Sequence, residues 1–113
     1  MPVSDGFTSF VISQLNLLPL VTSRSMFGGL GIYSDGLFFA LIADDQLYFK
    51  VDDTNRSEFE REGMDAFRPY DDDRTMNYWE VPVSVLEDAD LLAEWALKSL
   101  EISKRTSKKK KRK

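Results

Sequence analysis

Between residues 30 and 50 the chain carries the signals for two tight reversals. The β-prone runs 30–33 and 37–42 are separated by Asp35-Gly36, and a third run, 46–50, follows Asp44-Asp45. Asp-Gly between two such runs is a strong hairpin signal, because a type I′ turn needs positive φ at both central residues. Strands joined this way pair antiparallel. In the stretch QLYFKV, Leu47, Phe49 and Val51 share one face while Tyr48 and Lys50 share the other, the pattern of a half-buried strand. The run LFFALIA alternates little and is expected near the centre of the sheet. A further β-prone run, 23–27, precedes these three.

Helical patterns flank the strands. Residues 4–18 place Phe7, Phe10, Val11, Leu15 and Leu18 at helical spacing, with Ser4 or Asp5 as the cap and Pro19 as the stop. The stretch DDTNRSEFEREG supplies cap residues, a short charged helix anchored by Phe59, and Gly63 as its terminator. Two more strands are expected at 67–70 and 75–81, around the acidic turn DDDR, with Pro82 ending the second. A last helix, 88–103, buries Leu92, Trp95, Ala96, Ser99 and Leu100. This order predicts an α+β domain: a small antiparallel sheet, N- and C-terminal flanking helices and one short internal helix.

The glycines of SMFGGLGIYSDG (residues 25–36) raise the question of a phosphate-binding loop. A dinucleotide fingerprint counted from Gly29 would need its third glycine where Ser34 stands, and the segment leads into a strand rather than a helix. A Walker loop fails too, since no Gly-Lys-Ser/Thr follows. Gly28, Gly29 and Gly31 are therefore expected to form a bulge or bend, or to let a neighbouring backbone approach closely.

Charge divides the chain sharply. The net charge is −4, yet eight of the 15 basic residues lie in the last ten positions, KRTSKKKKRK. Residues 1–103 therefore carry seven basic against 19 acidic side chains, a balance of −12. The domain is expected at 1–103, and 104–113 is expected to be a disordered basic tail, too charged to pack. Clustered cations of this kind neutralise phosphates and release counterions. Lys104, Arg105, Lys108, Lys109, Lys110, Lys111, Arg112 and Lys113 are thus the candidate contacts to DNA or RNA. The competing reading is a solvated tail that aids solubility or folds back on the acidic body. With no aromatic residue among the lysines, base stacking by the tail is not expected.

The chain has no cysteine and no histidine. Thiolate metal sites, cysteine nucleophiles, disulfides and the usual general base are thereby excluded. The pairs Asp44-Asp45 and Asp52-Asp53 and the triplet Asp71-Asp72-Asp73 invite a cation-site reading. An EF-hand loop starting at Asp53 fails because Glu58 and Met64 stand where glycine and glutamate are required. Turn and cap roles suit these aspartates better, and neither metal nor cofactor is expected. A catalytic carboxylate pair is the third-ranked reading, since no nucleophile or base motif accompanies the acids. Tyr78 and Trp79 fall on opposite faces of one strand. An aromatic left outside the core would mark a protein interface or homodimer contact. The early apolar stretch FVISQLNLLPLV is too short and polar to span a bilayer and has no basic residue before it. Neither leader nor membrane contact is expected, and a cytoplasmic location is.

The string RSMFGGLGIYSDG resembles the signature of the TfoX/Sxy N-terminal domain, named for bacterial competence regulators. The likeness continues through LFFALIADDQLYFKVDDTNRSEFEREG and MNYWEVPVSVLEDADLLAEWA, covering about residues 8–102. Matching positions are Arg24, Met26, Phe27, Gly28, Gly29, Gly31, Tyr33 and Gly36, with Tyr78 and Pro82 in the later segment. The resemblance implies an α+β fold and a stand-alone domain with a lysine-rich tail. It implies a non-enzymatic regulatory or interaction protein, connected with transcription or competence, and transfers no catalytic residue. A protein partner is expected first, and weak sequence-independent nucleic-acid binding through the tail second.

Overall fold

Both tight reversals form, and they order the sheet. In the computed structural model, which describes residues 4–26, 29–67 and 77–111, five strands make one antiparallel sheet. They are β1 (Val21–Met26), β2 (Gly29–Ser34), β3 (Leu37–Ala43), β4 (Gln46–Lys50) and β5 (Tyr78–Glu80), and their spatial order repeats their chain order. Asp35 and Gly36 take φ of 51° and 81°, and Asp44 and Asp45 take 52° and 55°. Positive φ at both central residues is the type I′ geometry, which Asp and Gly accept at low cost.

LFFALIA owes its weak alternation to a bulge. Ile32 pairs with Ala40 but Tyr33 pairs with Phe38, which leaves Phe39 as the extra residue on β3. Phe39 and Ala40 therefore both belong to the inner core, while Phe38, Leu41 and Ala43 belong to a cluster on the outer face. The irregularity lies on β3, not at the glycines of β2. Gly29 serves the other expected purpose. A Cβ built there would lie 2.3 Å from the carbonyl oxygen of Ile42, so only glycine lets β3 approach this closely. Gly31 is an ordinary ladder position paired with Arg24 and Leu41, and Gly28 lies outside the described residues.

Among the described residues, four helices cover the inner face. α1 (Asp5–Gln14) starts where the Ser4 hydroxyl accepts from the Phe7 amide, and ends four residues before the expected 18. Leu15 and Leu18 still enter the core from the turn beyond it. α2 (Arg56–Arg61) brings in Phe59 and stops near Gly63, whose φ is +75°. α3 (Val83–Leu86), a single turn after Pro82, is too short to leave a periodic signal in the sequence. α4 (Ala89–Lys111) crosses the sheet, its Ser99 and Ser103 hydroxyls donating to the carbonyls of Lys50 on β4 and Phe38 on β3.

α4 does not stop at Ser103. It continues through Lys111, so residues 104–111 are helical where the sequence reading expected a disordered tail. Lysine and arginine are good helix formers, and no proline or glycine follows Pro82 to end the helix. Half-buried Thr106 adds a hydrogen bond to the carbonyl of Ile102. The expected strand 67–70 lies, apart from Phe67, outside the described residues; just before it Ala66 forms an isolated bridge with Trp79. The expected strand 75–81 yields β5, and residues 68–76 lie outside the described residues.

The inner core joins Val11 of α1 and Leu15 just beyond it, Ile32, Phe39, Ile42 and Phe49 of the sheet, Phe59 of α2, and Leu92 and Ala96 of α4. Each large apolar side chain buried there contributes about 1.5–3 kcal/mol. No helix among the described residues is long and apolar enough to cross a membrane.

Candidate functional site

The signature residues spread along three strands, and several meet on the outer face of the sheet. Arg24, exposed on β1, holds its guanidinium 5.8 Å from the ring centroid of Tyr33 on β2. Tyr33 packs on Phe38 at 5.2 Å, and Phe38 packs on Tyr78 of β5 at 5.3 Å. Phe38 thus links β2 to β5 across the sheet, a role its sequence context does not announce. Burial raises the Tyr78 phenol well above its ordinary pKa, with a smaller contribution from Tyr33. Nearby, Tyr48 packs on Phe67 at 4.8 Å, and its phenol is also raised, first by burial and then by the charges of Glu80 and Asp44.

The other signature positions shape backbone. Met26 and Gly29 close the β1–β2 ladder, Gly36 completes the hairpin turn, and the Pro82 carbonyl accepts from the amides of Val85 and Leu86 to start α3. Phe27 lies outside the described residues with Gly28. Tyr78 is buried and Trp79 half-buried against Phe59, so neither stands free of a hydrophobic cluster.

The aspartates act mainly at turns and caps. Asp45 accepts from the Ser4 amide, tying the start of α1 to the β3–β4 turn. Asp53 pairs with Arg56. Asp52 accepts from the Thr54 amide and hydroxyl at 2.8 and 2.5 Å, and from Arg105 at 3.3 Å. Burial opposes ionisation of Asp52, but the Thr54 hydrogen bonds and then Arg105 outweigh it and lower its pKa. No group of three acidic side chains among the described residues is placed to hold a metal ion. Asp71, Asp72 and Asp73 lie outside those residues.

The basic residues divide along α4. On one flank Lys98 pairs with Glu58 at 2.8 Å and Arg105 with Asp52, so part of the positive charge does fold onto the acidic body. Lys104 is exposed and faces a cleft of 380 Å³ between α4 and the end of the sheet. Pro19, Ser34, Asp35 and Leu37 form the sheet wall of this cleft. Leu97, Leu100 and Glu101 complete the helix wall. Lys108, Lys109, Lys110 and Lys111 occupy consecutive helical positions, while Arg112 and Lys113 lie outside the described residues.

A sheet with its turns, its closing helix and its signature positions in this order can be set against known families. The model of the TfoX N-terminal domain matches residues 13–103. The chain belongs to the TfoX N-terminal domain family. The TfoX match takes in the whole sheet and the part of α4 that packs on it, and it ends where the basic run begins. The signature residues therefore describe how a TfoX N-terminal domain is built, whereas Lys104 to Lys113 stand beyond the matched residues. A comparison with curated proteins finds no match.

Proposed function

We propose that this TfoX N-terminal domain protein is a non-enzymatic regulator that works by binding, with the basic end of α4 as its contact to nucleic-acid phosphates. The observation that carries the reading is the helical continuation of α4 from Lys104 to Lys111. A helix advances about 1.5 Å and turns by about 100° per residue, so the backbone of residues 108–111 makes about one full turn. Order already present in the free protein lowers the entropy cost of binding. The acidic body repels the same phosphates and confines contact to the helix end. Transcription- or competence-related control is the process to which the TfoX resemblance points.

Binding of a labelled duplex by the full chain, measured across a salt series, tests this. Eight phosphate contacts give a limiting slope of log K against log salt of about −7, and replacing four of the lysines by glutamine brings it to about −4. The variant Lys108→Gln, Lys109→Gln, Lys110→Gln, Lys111→Gln is expected to bind more weakly with that shallower slope. Equal binding by the two proteins overturns the reading. A second reading, docking of a protein strand on the edge of the sheet, is supported by β1, an edge strand whose residues 22–25 are all exposed. Binding of no nucleic acid by the intact chain would favour it.

A further inference from the structure

We infer that α4 is also a self-association surface, on which a second copy of the chain docks antiparallel. Positions 90, 94, 97, 101 and 104 follow one another by four and three residues and so form one stripe along the helix. They carry Asp90, Glu94, Leu97, Glu101 and Lys104; position 108, four further on, carries Lys108. Asp90, Glu94, Glu101 and Lys104 are exposed, and Leu97 keeps 52% of its surface in water.

These charges differ from their neighbours in what they do within the chain. Lys98 and Arg105, on the other flank, are paired with Glu58 and Asp52. Asp90, Glu94, Glu101 and Lys104 make no ion pair with any described residue. The stripe is acidic at Asp90 and Glu94 and basic at Lys104, with Leu97 and Glu101 between them, and its two ends are complementary when one copy is reversed. An antiparallel copy centred near position 99 sets Glu94 against the partner's Lys104, with Leu97 beside the partner's Glu101 between the two charge contacts. Each contact occurs twice about the two-fold axis. A parallel copy would instead set Glu94 against glutamate and Lys104 against lysine, so the charge order selects the antiparallel arrangement.

The cleft beside the stripe offers apolar surface for the centre of this contact. Leu97 and Leu100 form its helix wall, and Pro19 and Leu37 its sheet wall. Leu20, next to Pro19, is 71% exposed and is held at φ +45°, a left-handed conformation unfavourable for leucine. Its carbonyl is engaged by the Asp35 amide, which lies in the same cleft wall. Backbone strain that leaves a leucine in solvent beside an apolar cleft fits a surface that is covered in an assembly.

Sedimentation of the full chain over a concentration series, without nucleic acid, tests the inference. The native chain is expected to dimerise reversibly. Glu94→Lys and Lys104→Glu each place like charges opposite one another twice per dimer, and each is expected to weaken dimerisation by about tenfold or more. Both positions are exposed, and circular dichroism checks that the fold persists. An equimolar mixture of the two variants restores opposite charges at both contacts, so dimers are expected to reappear in the mixture. A native chain that stays monomeric throughout, variants that dimerise as tightly as the native chain, or a mixture that stays as dissociated as its components would each overturn the inference.

Discussion

Tyr48 and Phe49 are neighbours on β4, and they show how differently the two faces of the sheet are made. Phe49 points into the inner core, is fully buried and lies 5.7 Å from the ring of Phe39. Tyr48 points to the outer face, packs on Phe67 and keeps its hydroxyl near the surface, where it donates to the Gln46 side chain. The inner face is closed by helices over an apolar cluster, with Ser99 and Ser103 bonding α4 to the sheet at its margin. The outer cluster of Leu41, Ala43, Phe67 and Tyr78 is flanked by Phe38 and Tyr48, so aromatic side chains make up most of it. A small chain thereby uses both faces of its sheet for burial, and the aromatics of the second face combine apolar rings with polar tips.

Substitution of these two neighbours should separate the faces most clearly. Phe49→Ala is expected to cost about 3–5 kcal/mol, because it leaves a cavity in the closed core. Tyr48→Ala is expected to cost only roughly 1–2 kcal/mol, since half of its surroundings can relax into solvent. Urea unfolding of the two variants would measure the difference, and equal losses would mean that the outer face is as closed as the inner. Gly29→Ala should come next, at about 1–3 kcal/mol, because its Cβ forces β2 and β3 apart at the Ile42 carbonyl. Weaker amide-exchange protection confined to the end of the β2–β3 ladder would identify that cause.

The smallest effect is one of pH, read from the tyrosines of the outer face. Tyr48 and Tyr78 have folded-state pKa values raised above that of an unfolded phenol. Their contribution to stability is therefore complete below about pH 10, the unfolded value, and is lost as pH rises from there through the folded values. Absorbance titration should show late ionisation of these phenols. Glu80→Gln should bring Tyr48 part of the way back, leaving the larger effect of burial in place.

The hairpins were legible because their determinants are local: Asp35-Gly36 and Asp44-Asp45 fix backbone sign within two residues each. Phe59 and the α4 stripe of Leu92, Ala96 and Leu100 were legible from periodicity. The bulge at Phe39 was not, since a run of apolar residues hides which face each one takes. Nor was the true end of α4, where apolar periodicity stops but helix propensity does not. Of the outer-face contacts, the pairing of Arg24 with Tyr33 and the bridging place of Phe38 depend on strand register, which no single segment encodes. The positions of the basic residues were plain in the chain, but the pairing of Lys98 and Arg105 with the body, and the place of Lys104 on another flank of the helix, required the fold.

Because each strand pairs with the one before it in the chain, the sheet is assembled largely from short loops. Closing short loops costs little entropy, so the first four strands can zip together in sequence before any distant segment arrives. α4 comes last from the chain and bonds back to Lys50 and Phe38, across 49 and 65 residues. In a chain emerging from synthesis, the meander would therefore wait with α1 at hand but the part of its inner face beneath α4 uncovered, and the arrival of Ser99 and Ser103 over the sheet would close it.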